Sequence, residues 1–184
     1  MEEKQLILNC QNGDSAAFGQ LYDKYFQKIY RFIYYKTSHK ETSEDLTSLT
    51  FSKALEKIQS FDTSSSFFSA WLYKIARNNL IDYYRSNKET TSLEENFMTY
   101  DDKKLEENIS QKQELEKITE KLDSLSPQQK EIIIMRVWNE LSYKEISQIV
   151  GKSEGSCKMT FSRAIKQLKL SLTILILFIT LIIN

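Results

Sequence analysis

Four glycines and one proline are spread over 184 residues. A chain of β-strands needs far more turn residues than that, so the expected fold class is all-α. Helix starts are well marked. Asp14 precedes a segment with apolar residues at Phe18, Leu21, Tyr22, Tyr25, Ile29, Phe32 and Ile33, which are helical spacings. Thr42 precedes SEDLTSLTFSKALEKI, with Glu44 and Asp45 in the expected first turn, where the dipole favours anions. Ser126-Pro127-Gln128-Gln129 combines an N-cap, a proline at the first helical position and a capping-box Gln. Ser142 and Glu145 form a second capping box. Gly151 is placed to stop that helix, and Ser153 to cap the next.

Lys plus Arg and Asp plus Glu total 25 each, but they are unevenly placed. Residues 1–88 carry 12 basic and 10 acidic side chains, residues 89–121 carry 5 and 10, and residues 122–184 carry 8 and 5. Two weakly basic blocks therefore flank an acidic stretch. The chain divides on this reading into residues 1–88, an acidic linker 89–112, a second helical domain 113–169, and an apolar tail 170–184. The linker is expected to repel phosphate-bearing surfaces, and a neutral net charge does not argue against nucleic-acid binding by the blocks beside it.

Chemistry-bearing residues are scarce. Cys10 and Cys157 lie far apart, in neither metal nor disulfide spacing, which suits a reducing compartment, and His39 is the single histidine. No metal site, cofactor or catalytic constellation is expected, and the chain is not read as an enzyme. No signal peptide is expected, because Met1 to Lys4 leads into an amphipathic stretch rather than a long apolar run.

Between Leu141 and Ala164 a short helix, a turn at Gly151 and a longer basic helix make a helix-turn-helix. The second helix is expected to bury Cys157, Phe161, Ala164 and Leu168. Glu154, Ser156, Lys158, Met159, Ser162 and Arg163 then face solvent. In such motifs the start of the second helix enters the major groove. Lys158 and Arg163 are the candidate phosphate or base contacts, with Ser156 and Thr160 in support.

The segment FSAWLYKIARNNLIDYYR, Phe68 to Arg85, places Phe68, Leu72, Ile75, Ala76, Leu80 and Tyr83 on one expected core face. Trp71, Lys74, Asn78, Asp82 and Arg85 form a stripe beside or opposite it, with Arg77 flanking. Cations hold phosphates and an indole stacks on an unpaired base, so the stripe suits nucleic acid; a surface helix with a half-buried Trp fits equally. FDTSSS, Phe61 to Ser66, reads as a polar loop. The helix before it is expected to bury Thr47, Phe51, Ala54, Leu55 and Ile58. Leu46 and Leu49, among Asp45, Thr50, Lys53 and Glu56, are left as a partner surface or as a second packed face.

GDSAAFGQLYDKY, EDLTSLTFSKAL, AWLYKIARNNLIDYYR, LDSLSPQQKEIIIMR and LSYKEISQIVGKSEGSCKMTFSRA, in that order, resemble the successive blocks of sigma factors of the sigma-70 family, of the extracytoplasmic-function (ECF) type. The likeness covers about residues 10–88 and 115–168. It implies a transcription initiation factor that performs no chemistry. Its first domain would bind core RNA polymerase and recognise and open the −10 promoter element; its second would read the −35 element. Glu44, Asp45, Leu46, Leu49 and Thr50 fall in the block for polymerase. Trp71, Lys74, Arg77, Asn78, Asp82 and Arg85 fall in the −10 block, and Ser153, Glu154, Ser156, Lys158, Thr160 and Arg163 in the −35 helix. Core polymerase, promoter DNA and an anti-sigma factor are the implied partners, and the cytoplasm the implied location. Two departures stand out. Ser48 and Leu49 replace the family's usual Gln-Glu, making the polymerase contact more apolar, and Met159-Thr160 replace a typical Ser-Arg pair. Two other readings stay open: a helix-turn-helix regulator that acts without polymerase, and a membrane-linked helical interaction protein.

The tail, Leu170–Ile183, is fourteen residues of mostly Leu, Ile and Thr. It would span roughly 21 Å as a helix, against about 30 Å for a bilayer core. Lys166 and Lys169 precede it, as on a cytoplasmic flank. A membrane contact, a tail covered by protein and an aberrant end are its three readings.

Overall fold

The computed structural model describes residues 2–64, 66–90, 122 and 124–183, with the side chains of 88–90 and 170–183 left aside. The chain divides into two units. Among the described residues every regular element is helical. The linker expected at 89–112 lies almost wholly outside the described residues.

In the first unit α1 spans Glu3–Gln11 and buries Leu6, Ile7 and Cys10, three positions on one helical face. Its last side chain, Gln11, donates to the carbonyls of Ile58 (2.9 Å) and Phe61 (2.8 Å). α2, Ser15–Thr37, begins where expected: the Asp14 carboxylate accepts from the amides of Ala16 and Ala17. α2 packs against α1 and two later helices. Leu21, Ile29, Phe32 and Ile33 on it are at most 1% exposed. Ser38 ends α2 in the left-handed region, at φ 54°.

α3 spans Lys40–Lys57, so it starts before the expected cap at Thr42. His39 is the cap: its Nδ1 accepts from the Thr42 amide at 3.2 Å, which a neutral imidazole can do as Asp or Asn does. The first-turn acid is Glu41, and Glu44 and Asp45 lie one turn further in.

The buried face of α3 also differs from expectation. Ser43, Leu46, Thr47, Thr50, Phe51 and Ala54 are buried, whereas Leu55 is 51% exposed. The face is centred on Ser43, Thr47, Thr50 and Ala54, which are small residues at i, i+4, i+7 and i+11. Their hydroxyls are satisfied inside the helix: Ser43 donates to the His39 carbonyl (2.6 Å), Thr47 to Ser43 (2.6 Å) and Thr50 to Leu46 (2.7 Å). A stripe so satisfied can be buried at little cost and brings neighbouring backbones close. A 3₁₀ turn, Ile58–Ser60, follows.

α4 spans Phe68–Thr90. Phe68, Leu72, Ala76 and Leu80 are buried as expected, while Ile75 and Tyr83 are only half-buried. Ala70, Tyr73 and Asn79 join the core in their place. The Tyr73 ring meets Phe32 edge-on at 5.1 Å. Asn79 ties α4 to α3: Lys53 Nζ donates to its Oδ1 (2.6 Å), and its Nδ2 donates to Thr50 Oγ1 (3.0 Å).

In the second unit Ser126 opens α5, Pro127–Ile133, with the expected capping box. A π-helical turn, Ile134–Trp138, continues it. Ile132, Ile133, Ile134 and Met135 are consecutive and all buried, so this segment is enclosed on every side. α6, Tyr143–Val150, carries the second capping box, with Ser142 and Glu145 bonded reciprocally. Gly151 stops it at φ 69°, a conformation that favours glycine. α7 spans Glu154–Ile183, and the Ser153 hydroxyl accepts from the Ser156 amide at 3.2 Å. Cys157 and Ala164 are fully buried, and Phe161 and Leu168 half-buried. α5 packs against α7. The side chains of the apolar tail lie outside the described residues. Among the described residues no helix is long and apolar enough to cross a membrane.

Candidate nucleic-acid interface

Three surfaces carry the candidate residues. On α3, Glu44, Asp45 and Leu49 are exposed, Leu49 by 41%, and Lys40 lies 3.9 Å from Glu44. Burial, and then the Glu44 carboxylate, pushes the Tyr30 hydroxyl up to about 12. It therefore stays neutral beside that acid. Leu46 and Thr50, placed by sequence either on a partner surface or on a second packed face, are buried, which is the packed-face reading. Leu46 is 7% exposed, and the Thr50 hydroxyl is engaged by Asn79. The two join the outer face to the core rather than extend it.

Beside Leu49 runs a groove of 420 Å³ between α3 and α4. Leu46, Leu49 and Lys53 line one wall; Asn79, Asp82, Tyr83, Arg85 and Ser86 line the other. Leu49 belongs to one sequence block and Asp82 and Arg85 to another, and the packing brings them to the same cleft.

The stripe on α4 is present. Lys74, Asn78, Asp82 and Arg85 are exposed, Arg77 is half-buried, and Arg85 pairs with Asp82 at 3.3 Å. Trp71 is half-buried rather than free-standing. Its ring lies 5.1 Å from Phe61 and 5.5 Å from Phe68, and Phe61 is only 5% exposed. Phe61 was hidden by its setting in FDTSSS. The rest of that loop is polar as expected: Asp62 accepts from the amide and hydroxyl of Ser64, while Phe67 is 40% exposed at its far end. The loop thus packs one aromatic beneath Trp71 and presents another close to it in sequence.

The third surface is the helix-turn-helix. Glu154, Lys158 and Arg163 are exposed on α7. Ser153 is occupied as the cap, and the half-buried Thr160 donates its hydroxyl back to the Ser156 carbonyl at 2.9 Å. Thr160 is therefore turned toward its own helix. Tyr143, which the sequence did not single out, holds two cations: Arg136 lies 5.1 Å and Lys158 Nζ 5.7 Å from its ring centre. Its ring also meets Phe161 edge-on at 6.0 Å. Arg136 donates to the Leu141 carbonyl, which fixes it against the turn. Burial pushes the thiols of Cys10 and Cys157 up, so both remain small apolar packing groups. Among the described residues no group of three potential metal ligands gathers.

Comparison with known proteins gives these surfaces a frame. The family model Sigma-70 region 2 matches residues 21–90, which hold α3 and α4. Sigma-70, region 4 matches residues 115–168, which hold the helix-turn-helix. The chain is 35% identical over 167 residues to the ECF RNA polymerase sigma factor BldN of Streptomyces coelicolor, covering 89% of this chain and 63% of that protein. It is also 35% identical to the RNA polymerase sigma factor YlaC of Bacillus subtilis, covering 83% of this chain and 90% of that one. Among solved structures, the sigma factor RpoE in complex with the anti-sigma factor NepR from Bartonella quintana aligns with TM-score 0.69 at 26% identity, covering 85% of this chain and 96% of that one. CnrH in complex with the cytosolic domain of CnrY aligns with TM-score 0.74 over 93% of this chain and 97% of that one, at 21% identity, and shows the shared fold. With both regions matched in order, and with relatives named as ECF sigma factors at 30% and 31% identity over 91% and 94% of their lengths, the chain belongs to the sigma-70 family of transcription initiation factors, in its ECF branch, whose members are not enzymes.

Proposed function

We infer that this chain binds core RNA polymerase and directs it to promoter DNA. The observation that carries this is the pairing of two sigma regions on one chain, the second bearing a helix-turn-helix with Lys158 and Arg163 exposed on α7. The roles fall to the three surfaces. Glu44, Asp45 and Leu49 meet polymerase, with Leu46 and Thr50 supporting them from beneath. Trp71, Lys74, Arg77, Asn78, Asp82 and Arg85 act at the −10 element. Glu154, Ser156, Lys158 and Arg163 face the −35 element, with Ser153 and Thr160 fixing the helix that carries them. The functional boundaries run at 88, 112 and 169. Polymerase and promoter place the activity in the cytoplasm, and the complex of RpoE with NepR supports an anti-sigma partner for this chain too.

Run-off transcription with core polymerase on genomic fragments tests the reading. Specific transcripts are expected only when the chain is added. A chain that bound DNA but not core polymerase would be a regulator acting alone.

Lys158 gives a quantitative check. If its ammonium meets a phosphate, Lys158→Ala weakens all sequences alike and lowers the salt slope of promoter binding by about one. If it reads a base, one position of the −35 element loses its preference, by roughly 1–3 kcal/mol. Titrations at several salt concentrations separate the two, and no change in either removes Lys158 from the DNA contacts of α7.

The tail is proposed to touch lipid in part, because fourteen mostly apolar residues beside Lys166 and Lys169 favour an anionic interface over water. Deleting residues 170–184 should leave transcription intact and abolish sedimentation with anionic vesicles. Full-length protein that stays in the supernatant excludes the contact.

A further inference from the structure

Met159 is 58% exposed, more than any other large apolar side chain among the described residues. It stands on α7 one turn after Gly155 and one turn before Ser162, all three exposed. Gly155 has open space where a Cβ would be, and Ser162 is small, so nothing on its own stripe shields the thioether. Lys158 and Arg163 lie beside it, both exposed. Lys158 leans away toward α6, where its Nζ sits over the Tyr143 ring. The most prominent group on the forward face of this helix is therefore apolar, in a cationic surround.

A polyanion drawn by those cations offers one apolar feature in its major groove, the C5-methyl group of thymine. A long, polarisable Met side chain flanked by Gly and Ser can reach a base edge and fill the space around a methyl. We propose that Met159 is a specificity residue that contacts a thymine methyl in the upstream promoter element. The proposal rests on the reading of α7 as the −35 helix and adds which base chemistry it selects. It also gives a positive role to Met159, one of the two positions at which Met159-Thr160 departs from the family's Ser-Arg pair.

The test uses the full chain bound to core polymerase and a promoter fragment recovered by run-off transcription. Each thymine of the protected upstream element is replaced in turn by deoxyuridine, which removes the methyl and nothing else. One substitution is expected to weaken wild-type binding by about fourfold, the worth of one buried methyl group. Met159→Ala should weaken binding to the unmodified fragment by at least as much and be indifferent to deoxyuridine at that position. Met159→Leu, still apolar, should keep the response. Because Met159 is exposed, none of these variants should change the melting temperature. A wild-type protein indifferent to deoxyuridine throughout, or Met159→Ala retaining the full response, overturns the proposal. Loss of upstream protection in Lys158→Ala and Arg163→Ala alongside such a result shows that α7 does lie in the groove and that only the methyl contact is wrong. Normal protection by both overturns the −35 reading and the proposal with it.

Discussion

Leu46→Ala is expected to lower the stability of the first unit by about 2–5 kcal/mol, the usual cost of a leucine cavity in a core. Its neighbour three residues on, Leu49→Lys, is expected to stay within roughly 0.5 kcal/mol of wild type. The difference follows from exposure, 7% for Leu46 against 41% for Leu49. Urea unfolding measures both, followed by Trp71 fluorescence in a Trp138→Phe background so that only the first unit reports. Polymerase binding should divide the other way. Leu49→Lys puts a cation at the mouth of the groove between α3 and α4 and should weaken the complex with core polymerase while the fold stands. Equal stability losses for the two variants would mean that Leu49 is internal packing, and the groove would lose its proposed partner.

Sequence left Leu46 open between two faces for a physical reason. Hydrophobic periodicity finds a face by its large apolar residues, and on α3 the centre of the buried face holds Ser43, Thr47 and Thr50. Their hydroxyls bond to carbonyls one turn back, so they bury without an unpaired donor, and no count of apolar residues detects this. Displacing the face rotated Leu46 inward and Leu55 outward. Asn79 was missed in the same way, since its burial depends on Lys53 and Thr50 of another helix. His39 was passed over because an imidazole rarely caps, although its Nδ1 does so here. Phe61 was lost in a serine-rich loop, and only the spacing to Phe68, seven residues on, could have drawn attention to it.

What the sequence specifies locally was legible. Asp14, Ser126, Ser142 and Ser153 each accept the backbone amide that a cap should, and Gly151 adopts the left-handed turn. Caps and turns depend on a few adjacent residues, so one chain segment suffices to read them. Lys74, Asn78, Asp82 and Arg85 of the α4 stripe and Glu154, Lys158, Met159, Ser162 and Arg163 of the α7 face were legible too, being fixed by helical spacing, whereas Ser156, expected toward solvent, is half-buried. The groove joining Leu49 to Asp82 and Arg85 was not, because it exists only once α3 and α4 have packed. The Tyr143 cluster is of the same kind: it gathers Arg136 from the π turn and Lys158 from α7 around a residue of α6.

Trp71→Ala should reduce open-complex formation by the stacking it removes, about 1–3 kcal/mol if a base seats on the indole. The aromatic packing adds a second effect. Trp71 shares contacts with Phe61 and Phe68, and such pairs contribute about 0.5–1.5 kcal/mol each beyond their buried area, so the variant should also unfold more readily. The two effects separate by stage. Lost packing lowers stability in the free protein and leaves polymerase binding proportionate to the folded fraction. Lost stacking leaves polymerase and −35 binding normal and removes permanganate reactivity from the −10 thymines. Trp71→Phe should recover part of the packing while stacking less well on a base, and so should fall between. Lys74→Ala provides the complementary case, because Lys74 is exposed and its loss should impair opening in a salt-dependent way without changing stability. Normal permanganate reactivity in Trp71→Ala, combined with lowered stability, would make Trp71 the upper layer of the Phe61–Phe68 cluster and leave Lys74 and Asn78 as the stripe's contacts with the opened strand.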